Sequence, residues 1–126
     1  MYKAEVTAAG GYRFNAKTKD GQITIDAKSG AISPPDTLLA SLGSCMGVYI
    51  RKYAEGSKLP LGDFTVTVEA DLGREAPYRF AAISAVIDLK GAAIDDRRKA
   101  ALIEFIKNCP VHNTLKASPE VTVRIA

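Results

Sequence analysis

The stretch from Leu38 to Tyr53 constrains this chain more than any other. Leu38, Leu39, Leu42, Met46, Tyr49, Ile50 and Tyr53 recur at helical spacing, so they form one apolar stripe along a long helix. Ser33 is placed to cap that helix. Pro34 and Pro35 suit its first turn, where an amide hydrogen would find no intrahelical partner. Asp36 stands at the positive end of the helix dipole. Gly56 and Pro60 end the pattern. Gly43 and Gly47 each cost about 1 kcal/mol relative to alanine inside a helix. Their retention predicts close packing of the helix against another element.

Strand patterns flank this helix. Tyr2–Thr7 and Tyr12–Thr18 are separated by Gly10-Gly11, and Lys19-Asp20-Gly21 signals a tight turn before Gln22–Ala27. An antiparallel meander is expected there. Beyond the helix, Phe64–Ala70 alternates with one wet face. Asp71–Tyr78 reads as a polar loop, and Arg79–Lys90 as a longer strand rich in Ile, Val and Ala. Asp95 and Asp96 open a second helix running to about Asn108. Cys109-Pro110 breaks it and starts a new turn. Val121, Val123 and Ile125 alternate within Glu120–Ala126, which predicts a last strand. The expected class is α+β, in the order β-β-β-α-β-β-α-β.

With 126 residues the chain suits one domain, and no repeat or linker divides it. Apolar residues make up 47% and charged residues 25%, which is the balance of a folded globule. The formal net charge of +3 is spread without a basic block or basic-aromatic stripe, which argues against nucleic acid as a partner. The apolar run Leu38–Ile50 is too short to cross a membrane, and Met1–Glu5 has no signal-peptide core. A cytoplasmic, reducing compartment is therefore expected. There the two cysteines are free, catalytic or transiently paired.

Cys45 lies midway along the apolar helix, and taken alone it reads as a small core residue. Cys109 reads differently. It sits at a helix N-cap, followed by Pro110 at the first helical position, so backbone N–H groups of that turn point at its sulfur and favour thiolate. The simpler reading is a helix break that happens to carry a cysteine. A bond between the two sulfurs would close a loop of roughly 64 residues, worth about 4 kcal/mol as a permanent crosslink. In a reducing compartment a reversible bond is the better reading. His112, the only histidine, is expected to hydrogen-bond within its turn. Cys-x-x-His with Cys45 offers three metal ligands, short of the four a structural zinc site needs. Arg13, Arg51, Arg74 and Arg79 read as surface charges.

Two stretches carry a resemblance. Ser33-Pro34-Pro35-Asp36-Thr37-Leu38-Leu39-Ala40-Ser41-Leu42-Gly43-Ser44-Cys45 and the later Asn108-Cys109-Pro110-Val111-His112-Asn113-Thr114-Leu115 resemble the OsmC/Ohr superfamily, the osmotically induced and organic-hydroperoxide-resistance proteins. The likeness covers nearly the whole chain. It implies an intertwined homodimer, with long Cys-bearing helices packed centrally against antiparallel sheets and sites at the subunit interface. It also implies a thiol-dependent peroxidase acting on organic hydroperoxides, and less well on hydrogen peroxide. Cys45 would be the peroxidatic cysteine and Cys109 the resolving one. A dithiol such as dihydrolipoamide would be the reductant, with no metal or organic cofactor.

Ohr proteins also carry a Glu near the start of the Cys helix and an Arg in the N-terminal strands, both supporting the thiolate. Here the Ohr offset falls on Pro35, the nearest acid is Asp36, and Arg13 lies in the corresponding N-terminal region. The motif Cys-Pro-Val-His-Asn-Thr-Leu is nearer to the broad OsmC-like branch than to Ohr. The alternative function is a non-enzymatic redox-sensing or apolar-ligand-binding dimer, with Leu38, Leu42, Met46 and Tyr49 lining a pocket.

Overall fold

Eight elements are found in a computed structural model that describes residues Met1–Ala126: β1 (Glu5–Ala8), β2 (Arg13–Lys17), β3 (Gln22–Asp26), α1 (Pro34–Gly56), β4 (Thr65–Leu72), β5 (Phe80–Asp88), α2 (Asp96–Ile106) and α3 (Pro110–Ala117). They fall into two compact units, Met1–Ala40 and Ser41–Ala126. The class is α+β, as the patterning predicts.

The first unit is the expected antiparallel meander, in the order β1-β2-β3. Gly10 and Gly11 both adopt positive φ (94° and 58°), a conformation that glycine accepts without a Cβ penalty. Across that turn Ala9 N–H donates to Arg13 O at 2.9 Å, and Arg13 N–H donates to Gly10 O at 3.1 Å. At the end of β3 the Asp26 carboxylate accepts from the amides of Lys28 and Ser29, and from Arg13 Nε at 3.2 Å. Those two amides, joined by the Arg13 guanidinium, hold the Asp26 carboxyl below the ordinary carboxylate range. Ser33 caps α1 as predicted. Its Oγ accepts from Asp36 N–H at 3.2 Å and its hydroxyl donates to Asp36 Oδ2 at 2.9 Å.

In the second unit α1 packs on β4, and the two glycines explain how. A Cβ at Gly43 would lie 3.0 Å from Val68 Cγ2, and one at Gly47 would lie 3.6 Å from the Phe64 ring. The helix backbone therefore approaches the strand at Gly43 as closely as a side chain would forbid. β4 and β5 pair antiparallel, with Val66 opposite Ile87, and a bulge falls between Ala70 and Leu72. Ile50, Leu102 and Ile106 form the buried centre, with Met46, Tyr49, Phe64 and Ile87 packed around it. Burying each such aliphatic side chain contributes roughly 1.5–3 kcal/mol. The Phe105 ring stands 5.9 Å from Tyr49 and 5.8 Å from Tyr53, which locks α2 onto α1.

Helix α1 stops at Gly56, yet the left-handed residue that follows is Lys58 (φ 55°). The loop beyond is held by Arg51. Its guanidinium donates to Leu61 O at 2.8 Å and Gly62 O at 2.9 Å, and lies over the Phe64 ring. Arg51 is thus a loop clamp, where the sequence suggested a plain surface charge. Asp95 caps α2 by accepting from Arg98 N–H at 2.8 Å.

One expectation fails. The turn after Cys109 extends into a full helix, α3, and Glu120–Ala126 forms no strand. The observed order is β-β-β-α-β-β-α-α. The alternation of Val121, Val123 and Ile125 is real, but a strand exists only where another strand supplies its hydrogen bonds. Within this chain none does, and the three side chains stand 80%, 88% and 98% exposed. No helix is long and apolar enough to cross a membrane.

Candidate thiol site

Cys45 and Cys109 come together in the second unit. The sequence separates them by two strands and a helix, but α2 returns the chain to α1 through the Tyr49–Phe105 and Tyr53–Phe105 contacts. Cys45 is close enough to act on the Cys109 sulfur, and both are free thiols. Their surroundings differ. Cys45 is half-buried on the side of α1, whereas Cys109 is fully buried at 0% exposure.

Cys109 takes the N-cap of α3, with Pro110 at the first helical position. Its Sγ accepts from His112 N–H at 3.5 Å, so the predicted amide donation is present. The electrostatic consequence runs the other way from the expectation. Burial pushes the Cys109 thiol up from its ordinary value, and the hydrogen bond and charge of Cys45 push in the same direction. The amides of His112 and Val111 lower it by less. Removing a small anion from water outweighs two backbone dipoles. The net effect favours the neutral thiol at Cys109.

His112 behaves as predicted within its turn, with Nδ1 3.2 Å from Asn113 Oδ1. No group of three or more His, Cys, Asp or Glu side chains stands in a metal-binding arrangement. The remaining sequence candidates are engaged within the first unit. Arg13 pairs with Asp26, and Asp36 closes the Ser33 cap.

An open apolar groove of about 790 Å³ runs between β5 and α2, reaching Met46 and His112 beside the two thiols. Of the four residues expected to line a pocket, only Met46 borders this groove. Leu42 is buried, Tyr49 packs on Phe105, and Leu38 belongs to the first unit. The sequence did carry a signal for this groove. Ala81, Ala82, Ile83, Ala85, Val86 and Ile87 are apolar on both faces of β5, the pattern of a strand covered on both sides.

Comparison with known proteins places this geometry in context. Residues 26–124 match the family model described as OsmC-like protein. Among solved structures, the chain is similar to an OsmC-like protein from Mycoplasma pneumoniae, with a TM-score of 0.83 and 19% identity over 92% of this chain and 87% of that one. An organic hydroperoxide resistance protein OsmC from Legionella pneumophila superposes with a TM-score of 0.65 at 24% identity, over 92% and 90% of the two chains. The organic hydroperoxide resistance protein OhrB of Bacillus subtilis gives 0.67 at 18%, over 90% of each. No curated protein matches the sequence.

Proposed function

Because the chain belongs to the OsmC-like family, and because a half-buried and a buried thiol are neighbours in one unit, we propose that it is a thiol-dependent peroxidase acting on organic hydroperoxides. The family and its neighbours support a redox, stress-related role. The observation that supports the finer reading is that a half-buried thiol, Cys45, and a fully buried one, Cys109, are neighbours in one unit.

The cycle follows from that arrangement. The Cys45 thiolate attacks the distal oxygen of the hydroperoxide, the O–O bond breaks, and the alkoxide leaves and takes a proton to become an alcohol. Cys45 is now a sulfenic acid. The Cys109 sulfur attacks it, a disulfide forms, and water leaves with the Cys109 proton. A dithiol such as dihydrolipoamide exchanges onto the disulfide, is oxidised to its own disulfide, and restores both thiols. Asp36 and Arg13 enter this reading as charged supports of the Cys45 thiolate. The working unit is a cytoplasmic homodimer.

The test is a thiol titration before and after one equivalent of cumene hydroperoxide, with peptide mapping of the product. Two titratable thiols should fall to none, and the mapped bond should join Cys45 to Cys109. Full hydroperoxide consumption by Cys45→Ser would refute the assignment. Thiols that persist through peroxide treatment would favour the ligand-binding alternative.

A further inference from the structure

The start of helix α3 hangs on a single sulfur. Pro110 at its first position has no N–H, so the first-turn donors that need an acceptor are the amides of Val111 and His112. Both act on Cys109 Sγ, and His112 N–H reaches it at 3.5 Å. The next amide, that of Asn113, is already satisfied by Cys109 O at 3.0 Å. No other side chain caps this turn. Cys109 is fully buried, so water has no ready way to take the sulfur's place, and an amide left without it would be costly.

The rest of α3 offers little to replace that cap. It has eight residues, none of them buried, and a helix so short is marginal on its own. Its far end rests on a left-handed Ser118, whose N–H reaches Leu115 O at 3.4 Å. The helix that carries Cys45 is built the opposite way. α1 has 23 residues, buries Leu42, Gly43, Ile50 and Ala54, and presses its backbone at Gly43 against Val68. A disulfide needs its two sulfurs at covalent distance, whereas two free thiols come no closer than contact. Joining them therefore displaces a sulfur, and α3 is the element that can yield.

We propose that joining Cys45 to Cys109 uncaps α3, so that residues 111–117 are ordered in the dithiol protein and loosened in the disulfide protein. The proposal rests on the Cys45–Cys109 bond of the preceding reading and adds a conformational consequence to it. The Cys45 sulfenic acid and the Cys109 thiol give the S–S bond and water, with the hydroperoxide as oxidant. A dithiol reverses the step, becomes a disulfide itself, and returns the Cys109 sulfur to the amides of α3. The order of α3 thus follows the redox state of the pair. Its loosening also uncovers a sulfur that is enclosed in the reduced protein, where the reductant must reach the bond.

The test is amide hydrogen exchange read by mass spectrometry on the full chain, reduced and then oxidised with either cumene hydroperoxide or diamide. Diamide joins neighbouring thiols without a peroxide step. In protein with the mapped bond, amides in 111–117 should exchange at least about fivefold faster, the equivalent of one lost N-cap. Those of α1 and β4 should keep their reduced rates. Unchanged exchange in 111–117 would overturn the proposal. A bond made by diamide but not by hydroperoxide would strike the peroxidase reading alone, and failure of both reagents to join the sulfurs would overturn the switch. Reduced Cys109→Ala should already show the fast exchange of the oxidised parent. Cys109→Ser should stay slow, because a hydroxyl oxygen is itself a capping acceptor. Parental exchange in Cys109→Ala would overturn the proposal by showing that the sulfur does not hold α3. Cys45→Ser treated with either reagent should keep its slow exchange, and acceleration there would overturn it by separating the effect from the bond.

Discussion

The two cysteine-bearing turns use one side chain in opposite ways. Cys45 lies inside α1, where every amide nearby is already committed to the helix ladder. Cys109 caps α3, where the amides of Val111 and His112 are free to point at the sulfur. Local backbone alone would make Cys109 the better thiolate. Tertiary burial opposes this, since Cys109 is enclosed whereas Cys45 is half-buried. Access and desolvation, more than helix dipoles, distinguish the two sulfurs.

The largest expected effect breaks that division directly. Cys45→Ser should lose hydroperoxide turnover altogether. Cys109→Ser should consume peroxide without recycling, and Cys45 should accumulate as sulfinic and sulfonic acid, because no second thiol traps the sulfenic acid. Intact-mass spectrometry after stepwise peroxide addition distinguishes the two variants. If Cys109 were the residue found overoxidised in a Cys45→Ser protein, the roles argued from burial would be reversed.

The next effect concerns the scaffold under Cys45. Gly43→Ala places a methyl 3.0 Å from Val68 Cγ2, while Gly47→Ala places one at ordinary distance, 3.6 Å, from Phe64. Overpacking costs about 1–3 kcal/mol, and a glycine replaced by alanine in a helix gains about 1 kcal/mol. Gly43→Ala should therefore destabilise by about 1 kcal/mol, and Gly47→Ala should stabilise by a similar amount. Urea denaturation of both variants checks the sign. Equal shifts would show that α1 does not sit as tightly on β4 at Gly43 as its backbone position implies.

A smaller effect tests the environment of Cys109. Its thiol is raised in the folded protein, so the folded state holds its proton more tightly than the unfolded state does. The resulting stability is fully present below the unfolded value of about 8.5 and is lost as pH rises through the higher folded value. Denaturation midpoints from pH 7 to pH 10 should fall less steeply for Cys109→Ala than for the parent. Parallel curves would remove burial as the controlling influence on this sulfur.

These cases show what the sequence can and cannot carry. The span of α1, its Ser33 cap and the Cys109 cap were legible because each is decided within a few residues. The close approach at Gly43 was legible because a helical glycine is costly without a reason. The direction of the Cys109 shift was not, because the amides are local in sequence whereas burial is supplied by distant elements. The strand at Glu120–Ala126 was misread for the same reason. Alternation fixes which side chains share a face, but a hydrogen-bonded partner must come from elsewhere. Arg51 offered no pattern at all, since its two carbonyl partners, Leu61 and Gly62, lie in a loop.

The smallest expected effect separates support of the thiolate from support of the helix. Asp36 already has a structural task, since its carboxylate accepts the Ser33 hydroxyl at 2.9 Å in the first turn of α1. Asp36→Asn keeps an acceptor there and removes only the charge. Losing a carboxylate near a helix N-terminus costs about 0.3–1 kcal/mol. A capping role alone predicts that small loss of stability with no change in the rate at which Cys45 is oxidised. A role in thiolate support predicts a slower single-turnover oxidation in addition, with a stronger dependence on pH. Arg13→Gln provides the matching measurement, because it removes the cation from its pair with Asp26. If both variants oxidise at the parental rate, the two charges belong to the scaffold, and Cys45 relies on Cys109 alone.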